Sequence, residues 1–401
     1  MSLPASDHRR RALAGCLLGQ ALGDSLGLPC ENLSPRRLAR LFPPPLRHRF
    51  LFGRGMVSDD TEHAVLTALA CRDSGGEPAA FGLALAGYLR WWVAALPAGV
   101  GWATLRALGK LWLGWSPATA GVVSAGNGPA MRATVLGVVA GDDPARLAEL
   151  VRVSTRLTHT DPRAEAGALV IALAARQAMR QGGGRPDPAA FVDEVAAALA
   201  GHPAGPTLLE ALRQAAAAGA SLPPPAPGGP QVPASGPAVS PASFSGSGEF
   251  PVAPNATREA DSPAATVAAF AADLGSPHGV SGYILHTVPA VCLCWFRWGD
   301  DPRTALSAMI GAGGDADTTG AILGGILGAG VGPAGFPADW VAGLADWPCS
   351  PAYLEEVAAS VAGEPGATTV QWPWWGARLA RNLFFLAVVL AHGFRRLLPP
   401  Y

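Results

Sequence analysis

Gly15-Cys16-Leu17-Leu18-Gly19-Gln20-Ala21-Leu22-Gly23-Asp24-Ser25-Leu26-Gly27 carries a glycine at every fourth position. Residues four apart share one side of an α-helix, so this stretch predicts a helix with a smooth face that a neighbouring backbone can approach closely. The glycines are read as a packing device and Asp24 as a structural residue. Outward from there, Ala, Leu and Val recur at helical spacing over 11–28, 59–72, 79–96, 143–153, 163–181, 188–200, 206–218, 263–274, 301–311, 317–330, 352–362 and 377–397. Strand-like alternation is almost absent and no fixed repeat is visible, which predicts a mainly α protein with its helices packed round one core. The pattern breaks at about 219–263, a Pro/Gly/Ser-rich stretch containing Pro223-Pro224-Pro225 and Ser245-Gly246-Ser247-Gly248. Such a composition buries too little apolar surface to offset its chain entropy. It is read as a disordered insertion within one domain of residues 1–401.

The chain has 401 residues, a net charge of −1 and only 15% charged residues. A balance so close to neutral predicts neither a nucleic-acid partner nor an acidic membrane. Lys110 is the one lysine among 29 basic residues, a GC-rich coding bias that points to a bacterial source. The six cysteines lack metal-finger or redox spacing and are expected as reduced, buried thiols. His8-Arg9-Arg10-Arg11 before Leu13-Ala14-Gly15-Cys16 imitates a lipoprotein cleavage site, but the apolar core between Arg11 and Cys16 is too short for one. Near the other end, Leu383 to Ala391 is continuously apolar but about half the length of a spanning helix, and is expected as a buried helix flanked by Arg381 and Arg395. Thr319 to Phe336 is interrupted by five glycines and Pro333, which argues against a lipid span. The expectation is a soluble cytoplasmic protein.

Chemistry concentrates in two acidic clusters, Ser58-Asp59-Asp60-Thr61 and Gly313-Gly314-Asp315-Ala316-Asp317-Thr318. Four carboxylates with hydroxyls, and neither His nor Cys, form a hard oxygen set suited to Mg²⁺, Mn²⁺ or Ca²⁺. Placed against apolar helices, these carboxylates carry a desolvation cost that a bound cation relieves. Each cluster alone is also what an ordinary helix cap looks like. Glu31 follows Pro29 just past a helix end, where a carboxylate can point into a cleft; read alone, it is a surface residue. The stretch from Val123 to Arg132 offers small residues, amides and one amide side chain suited to hydroxyls and phosphates. His159 sits at a turn before a helix, as structural residue or ligand contact, and Gly279 to Tyr283 supplies further amides and an aromatic face.

In order, Gly19-x-x-x-Gly23-Asp24 with Glu31, Ser58-Asp59-Asp60-Thr61, Ser124-x-Gly126-Asn127-Gly128-x-x-Met131-Arg132, Thr158-His159, Gly279-x-Ser281-Gly282-Tyr283 and Gly313-Gly314-Asp315-x-Asp317-Thr318 closely resemble the ADP-ribosylglycohydrolase family. The resemblance covers nearly the whole chain outside 219–263. It implies an all-α orthogonal helical bundle with two Mg²⁺ (or Mn²⁺) that hydrolyses the glycosidic bond between ADP-ribose and a protein side chain or small acceptor. Ser58, Asp59, Asp60, Asp315, Asp317 and Thr318 are then the metal ligands, with Asp317 bridging, and Glu31 the catalytic carboxylate. Ser124, Gly126, Asn127, Gly128, Met131, His159, Gly282 and Tyr283 are then the substrate-binding residues. Ser58 replaces the common Thr but keeps the hydroxyl. Ala125 stands where some members carry an aromatic, so a stacking partner for adenine must come from elsewhere. The segment Gly99 to Thr104 lacks the Asp of the dinitrogen-reductase-activating branch, which argues against that branch's role. Two readings compete with the hydrolase: an inactive ADP-ribose-binding or crystallin-like protein, and a metal hydrolase acting on a related nucleotide or phosphoester.

Overall fold

The computed structural model describes residues 5–50, 52–140, 143–221, 262–364 and 366–397. Most of the expected insertion at 219–263 lies outside these residues; its first three residues close one helix and Ser262-Pro263 opens the next. The described residues form seventeen α-helices joined by loops, 3₁₀ turns and isolated bridges, with no strand among them. They are α1 (Ala5–Gly27), α2 (Pro35–Leu41), α3 (Asp59–Asp73), α4 (Pro78–Ala94), α5 (Trp102–Trp112), α6 (Ala130–Val139), α7 (Pro144–Arg156), α8 (Pro162–Gln181) and α9 (Pro188–Ala198). The second half holds α10 (Gly205–Ser221), α11 (Pro263–Asp273), α12 (Ile284–Trp298), α13 (Pro302–Gly311), α14 (Ala316–Val331), α15 (Ala338–Gly343), α16 (Pro351–Ala362) and α17 (Trp375–Arg395).

Local chemistry explains where many of these begin. Eight helices, from Ser34-Pro35 to Ser350-Pro351, open on an Asp, Glu or Ser whose side chain accepts a backbone N–H of the first turn, followed by proline at the first helical position. The proline has no N–H to leave unsatisfied there, and its fixed φ suits the helix.

The glycine stripe of α1 meets a second stripe on α14. A Cβ added at Gly15, Gly19 or Gly23 would lie 2.1, 2.1 or 1.9 Å from the carbonyl oxygen of Gly328, Gly324 or Gly320. The helices run antiparallel with their backbones touching, and this pair is the axis of the molecule. Around α14 pack α6, α8, α12 and α13; α3, α6 and α16 pack on α1. One buried cluster runs from Ala12 to Val370, and all six cysteines are free and buried as expected.

Three helices carry no helical period in the sequence or a blurred one. The residues of α6 and most of α12 are buried on all sides, so neither shows an apolar face against a polar one. Helix α5 exposes Trp102, Leu105 and Trp112 on its outer side, which obscures its buried stripe. The expectation of a buried helix at 383–391 does not hold. Within α17 only Arg378, Arg381, Asn382 and Phe385 are buried, and Leu383, Phe384, Leu386 and Leu390 are exposed. This is the one helix among the described residues long and apolar enough to cross a membrane.

Candidate active site

Axis packing brings the N-terminal ends of α3 and α14 together, and with them the two acidic clusters. The Thr318 hydroxyl donates to Asp60 Oδ2 at 3.1 Å, joining residues 258 apart in sequence. Ser58 caps α3 by accepting the Asp60 N–H at 3.3 Å, and its hydroxyl also reaches Asp60 Oδ2. Beneath it, wholly buried Asp24 accepts the Ser58 N–H, the Thr61 N–H and, at 2.6 Å, the Thr61 hydroxyl. Asp24 thus pins the chain entering α3, the structural role read from the sequence.

Asp315 begins α14 but makes no cap hydrogen bond with its side chain. Its Oδ2 instead accepts the Asn127 amide at 2.6 Å, and the same amide donates to Thr287 at 3.0 Å. The asparagine read as a substrate contact therefore spends its donors on holding Asp315. Loop backbones complete the frame: Gly314 N–H donates to Leu33 O, Asn32 N–H to Gly314 O and Asp315 N–H to Val280 O. Gly313 and Gly314 have φ of +71° and +84°, and a Cβ on Gly314 would meet Val280 O at 2.2 Å. Only glycine fits there.

One carboxylate oxygen each from Glu31, Asp315 and Asp317 lie within 4.8 Å of one another. Buried Asp60 Oδ1 and Asp317 Oδ1 have no hydrogen-bond partner. Among the described residues none of the carboxylates Asp24, Asp59, Asp60, Asp315 or Asp317 forms an ion pair with Arg or Lys. Burial first, and then mutual repulsion, hold the carboxyls of Asp59, Asp60 and Asp317 well above the usual range. Burial followed by Asp315 raises Glu31. Crowded carboxylates with orphaned oxygens, their aspartates in no ion pair among the described residues, fit a bound divalent cation.

These groups floor a pocket of about 470 Å³. Glu31, Ser58, Asp59, Asp315, Asp317 and Thr318 line its acidic end, while Asp60 sits behind the wall, 1% exposed. Ser124, Gly126, Asn127, Gly128, Met131 and His159 line the same pocket. His159 is buried and neutral, its pKa lowered to about 3 by burial and then by Arg132. Arg132 donates to the Thr158 hydroxyl oxygen at 2.8 Å, and that hydroxyl lies 2.9 Å from His159 Nδ1. The pair holds the imidazole in place, with donor and acceptor roles at Nδ1 set by the tautomer. Nε2 lies beside Gly126 and Gly128, where a Cβ would crowd it at 3.4 and 3.7 Å.

Gly282 and Tyr283 fall outside this lining. Gly282 borders the neighbouring cavity behind Asp315, and the Tyr283 hydroxyl accepts Arg163 at 3.0 Å while the guanidinium covers its ring. The pocket is also lined by residues not singled out in the sequence: exposed Trp102 and Arg106, one turn apart on α5, with Val389 and the buried Phe385 of α17, which packs on Leu28 and Met56. Trp102 lies in the segment already marked for lacking an Asp; its i, i+4 spacing with Arg106 was the available signal.

The profile of the ADP-ribosylglycohydrolase family matches residues 5–369. The chain belongs to this family. A solved structure described as an ADP-ribosylglycohydrolase-related protein complex is similar over 90% of this chain and 100% of its own, with a TM-score of 0.58 and 24% identity; that likeness is one of fold, the all-α fold of the family. An uncharacterised protein of Archaeoglobus fulgidus is 30% identical over 167 residues, 40% of this chain and 53% of its own length. The chain thus spans about half the length of the curated relative it matches. Helix α17 lies beyond the residues that the family profile matches.

Proposed function

We propose that this glycohydrolase-family chain is a divalent-cation-dependent hydrolase cleaving the bond between the ribose anomeric carbon of ADP-ribose and a protein side chain or small acceptor. The observation that carries this reading is the meeting of the two acidic clusters through Thr318 and Asp60 at the floor of one pocket. Both halves of the chain contribute to that floor, which supports a single domain. The pocket walls combine carboxylates, backbone amides with an imidazole, and an indole with a guanidinium. Those groups suit ribose hydroxyls, diphosphate and adenine.

Ser58, Asp59, Asp60, Asp315, Asp317 and Thr318 would hold two Mg²⁺ or Mn²⁺. Bound cations there would orient the ribose hydroxyls and acidify a water. The Gly128 backbone amide, the Ser124 hydroxyl, whose oxygen accepts the Gly126 N–H, and the His159 imidazole bind the diphosphate. Trp102 supplies the aromatic face missing at Ala125, and Arg106 adds charge near it. Asn127 keeps Asp315 turned inward. Glu31 takes one proton from the attacking water as its oxygen bonds to the anomeric carbon. The bond to the acceptor breaks with its electron pair leaving on the acceptor atom, to which Glu31 returns the proton.

The test is hydrolysis of arginine-linked, serine-linked and O-acetyl ADP-ribose with Mg²⁺ and with excess chelator, beside calorimetric titration of ADP-ribose. The expected result is metal-dependent release from at least one substrate, abolished in Asp317→Asn. Glu31→Gln should be slowed at least about 100-fold with affinity for ADP-ribose retained. Turnover in chelator sinks the metal reading, and binding without cleavage of any linkage leaves a binding protein.

A further inference from the structure

Net charge conceals how charge is distributed. Segments 32–58, 78–141 and 365–401 contain fourteen of the 29 basic residues and none of the 30 acidic ones. Of the 19 large apolar side chains exposed among the described residues, 18 fall in the same three segments, Trp347 being the exception. Exposed apolar groups and an excess of basic over acidic residues therefore share the same segments.

They also share one region of the fold, because α17 binds the other two segments. Asn382 donates to Ala95 O at 2.8 Å, Arg381 to Val57 O at 2.7 Å, and Arg37 to Arg396 O at 2.8 Å. Phe385 joins Leu28, Phe50 and Met56 in a satellite core, with Ala98 against it. The acids beneath α17, Glu62 and Asp346, are consumed by Arg378 and Arg381 inside the protein. At the C-terminal end of the helix, a pocket of about 340 Å³ is lined by Arg47, Arg49, Arg395 and Arg396 with His48 and His392, and by no acid.

The outer side of α17 presents Leu383, Leu386, Leu390 and Phe394 at helical spacing, 39–66% exposed, with Trp374 and Trp375 at its start. Trp91 and Trp112 stand on neighbouring α4 and α5, also exposed. We propose that this face is the seat of an anionic lipid bilayer, with α17 lying in the interface and the arginine-lined pocket taking headgroup phosphate. An apolar helix face bordered by Trp and Arg is what the headgroup boundary accommodates, and each basic residue near an anionic leaflet strengthens attachment about fivefold. A second copy of the chain suits the face poorly, since a two-fold contact would set arginine against arginine with no acid between them. Nucleic acid leaves the exposed Leu, Phe and Trp side chains of this face without a partner. Spanning is opposed by Arg378 and Arg381, which hold the inner side of α17 in buried ion pairs. Trp102 and Arg106 belong both to this face and to the rim of the catalytic pocket, so docking sets the pocket mouth at the membrane surface.

The experiment is co-sedimentation of the full chain with phosphatidylcholine vesicles, with and without about 30% phosphatidylglycerol, beside light scattering for oligomeric state. Binding should be at least tenfold stronger to the anionic vesicles and reversed by high salt. Leu386→Gln with Leu390→Gln should weaken it at least tenfold, and Arg47→Ala about fivefold, each with an unchanged thermal midpoint and unchanged hydrolysis in solution. Equal binding to neutral vesicles, no binding, resistance to salt and alkali, or dimerisation lost in the double variant would each overturn the proposal. None of these outcomes depends on whether the pocket hydrolyses ADP-ribose.

Discussion

Helices α14 and α17 are both long runs of apolar residues, and they sit in opposite environments. Residues 319–330 of α14 are all buried, while α17 buries four of its residues. The difference lies in side-chain size and in what the backbone can approach. Gly320, Gly324 and Gly328 let α14 close on the matching glycines of α1, so its backbone becomes part of the core. Helix α17 carries Leu, Phe and Trp, has no such stripe, and is held instead by two arginines reaching inward to Glu62 and Asp346. Apolar composition therefore predicts a helix but does not decide which side of the surface it occupies.

The largest expected effect comes from spoiling the close approach. In Gly23→Leu the first added atom would lie 1.9 Å from Gly320 O, against backbone that cannot step aside. Overpacking of this kind costs on the order of 3 kcal/mol or more, and the expected outcome is insoluble or unfolded protein by circular dichroism. A folded, stable Gly23→Leu would show that the α1–α14 contact is looser than its geometry requires.

Arg378→Met attacks α17 from its buried side. It leaves Glu62, which also accepts Trp92 Nε1–H at 2.5 Å, without its main cation. Breaking a buried pair costs about 3–5 kcal/mol, and chemical denaturation should find most of that. Adding Glu62→Gln should restore a large part; no recovery in the double variant would mean that packing, not charge, seats the helix.

A smaller effect is expected at α3, which touches both helices. His63 is fully buried with neither ring nitrogen hydrogen-bonded, packed edge-on against Trp92, and burial followed by Arg132 holds its pKa well below 6.5. The unfolded chain binds a proton there below pH 6.5 and the folded chain does not, so this histidine makes stability fall as pH drops through that value. Relative to wild type, His63→Leu should gain about 1.4 kcal/mol per pH unit below 6.5. A pH-independent difference between the two proteins would refute the assignment.

The acidic site was legible because its chemistry is carried by residue type. Carboxylates and hydroxyls at two helix starts imply a hard cation in any fold that unites them, and the order of motifs named the family. The fold class was legible from period alone. The roles of Asn127 and Tyr283 were not, because a side chain's first partner depends on neighbours far along the chain: Asp315 and Thr287 for one, Arg163 for the other. Burial on all sides weakens the period in α6 and α12; α3 and α14 are as deeply buried, but the acidic clusters at their starts mark them as helices.

By itself the sequence determined that the chain is helical, where many helices begin, that α1 offers a smooth face and that two oxygen-ligand clusters await each other. Those are properties of residues and of their near neighbours along the chain. Tertiary structure alone decided that the smooth face meets the glycines of α14, that Asp60 and Thr318 touch, and that the apolar run of α17 lies outside. Each of these rests on shape complementarity between segments hundreds of residues apart, which no local pattern encodes.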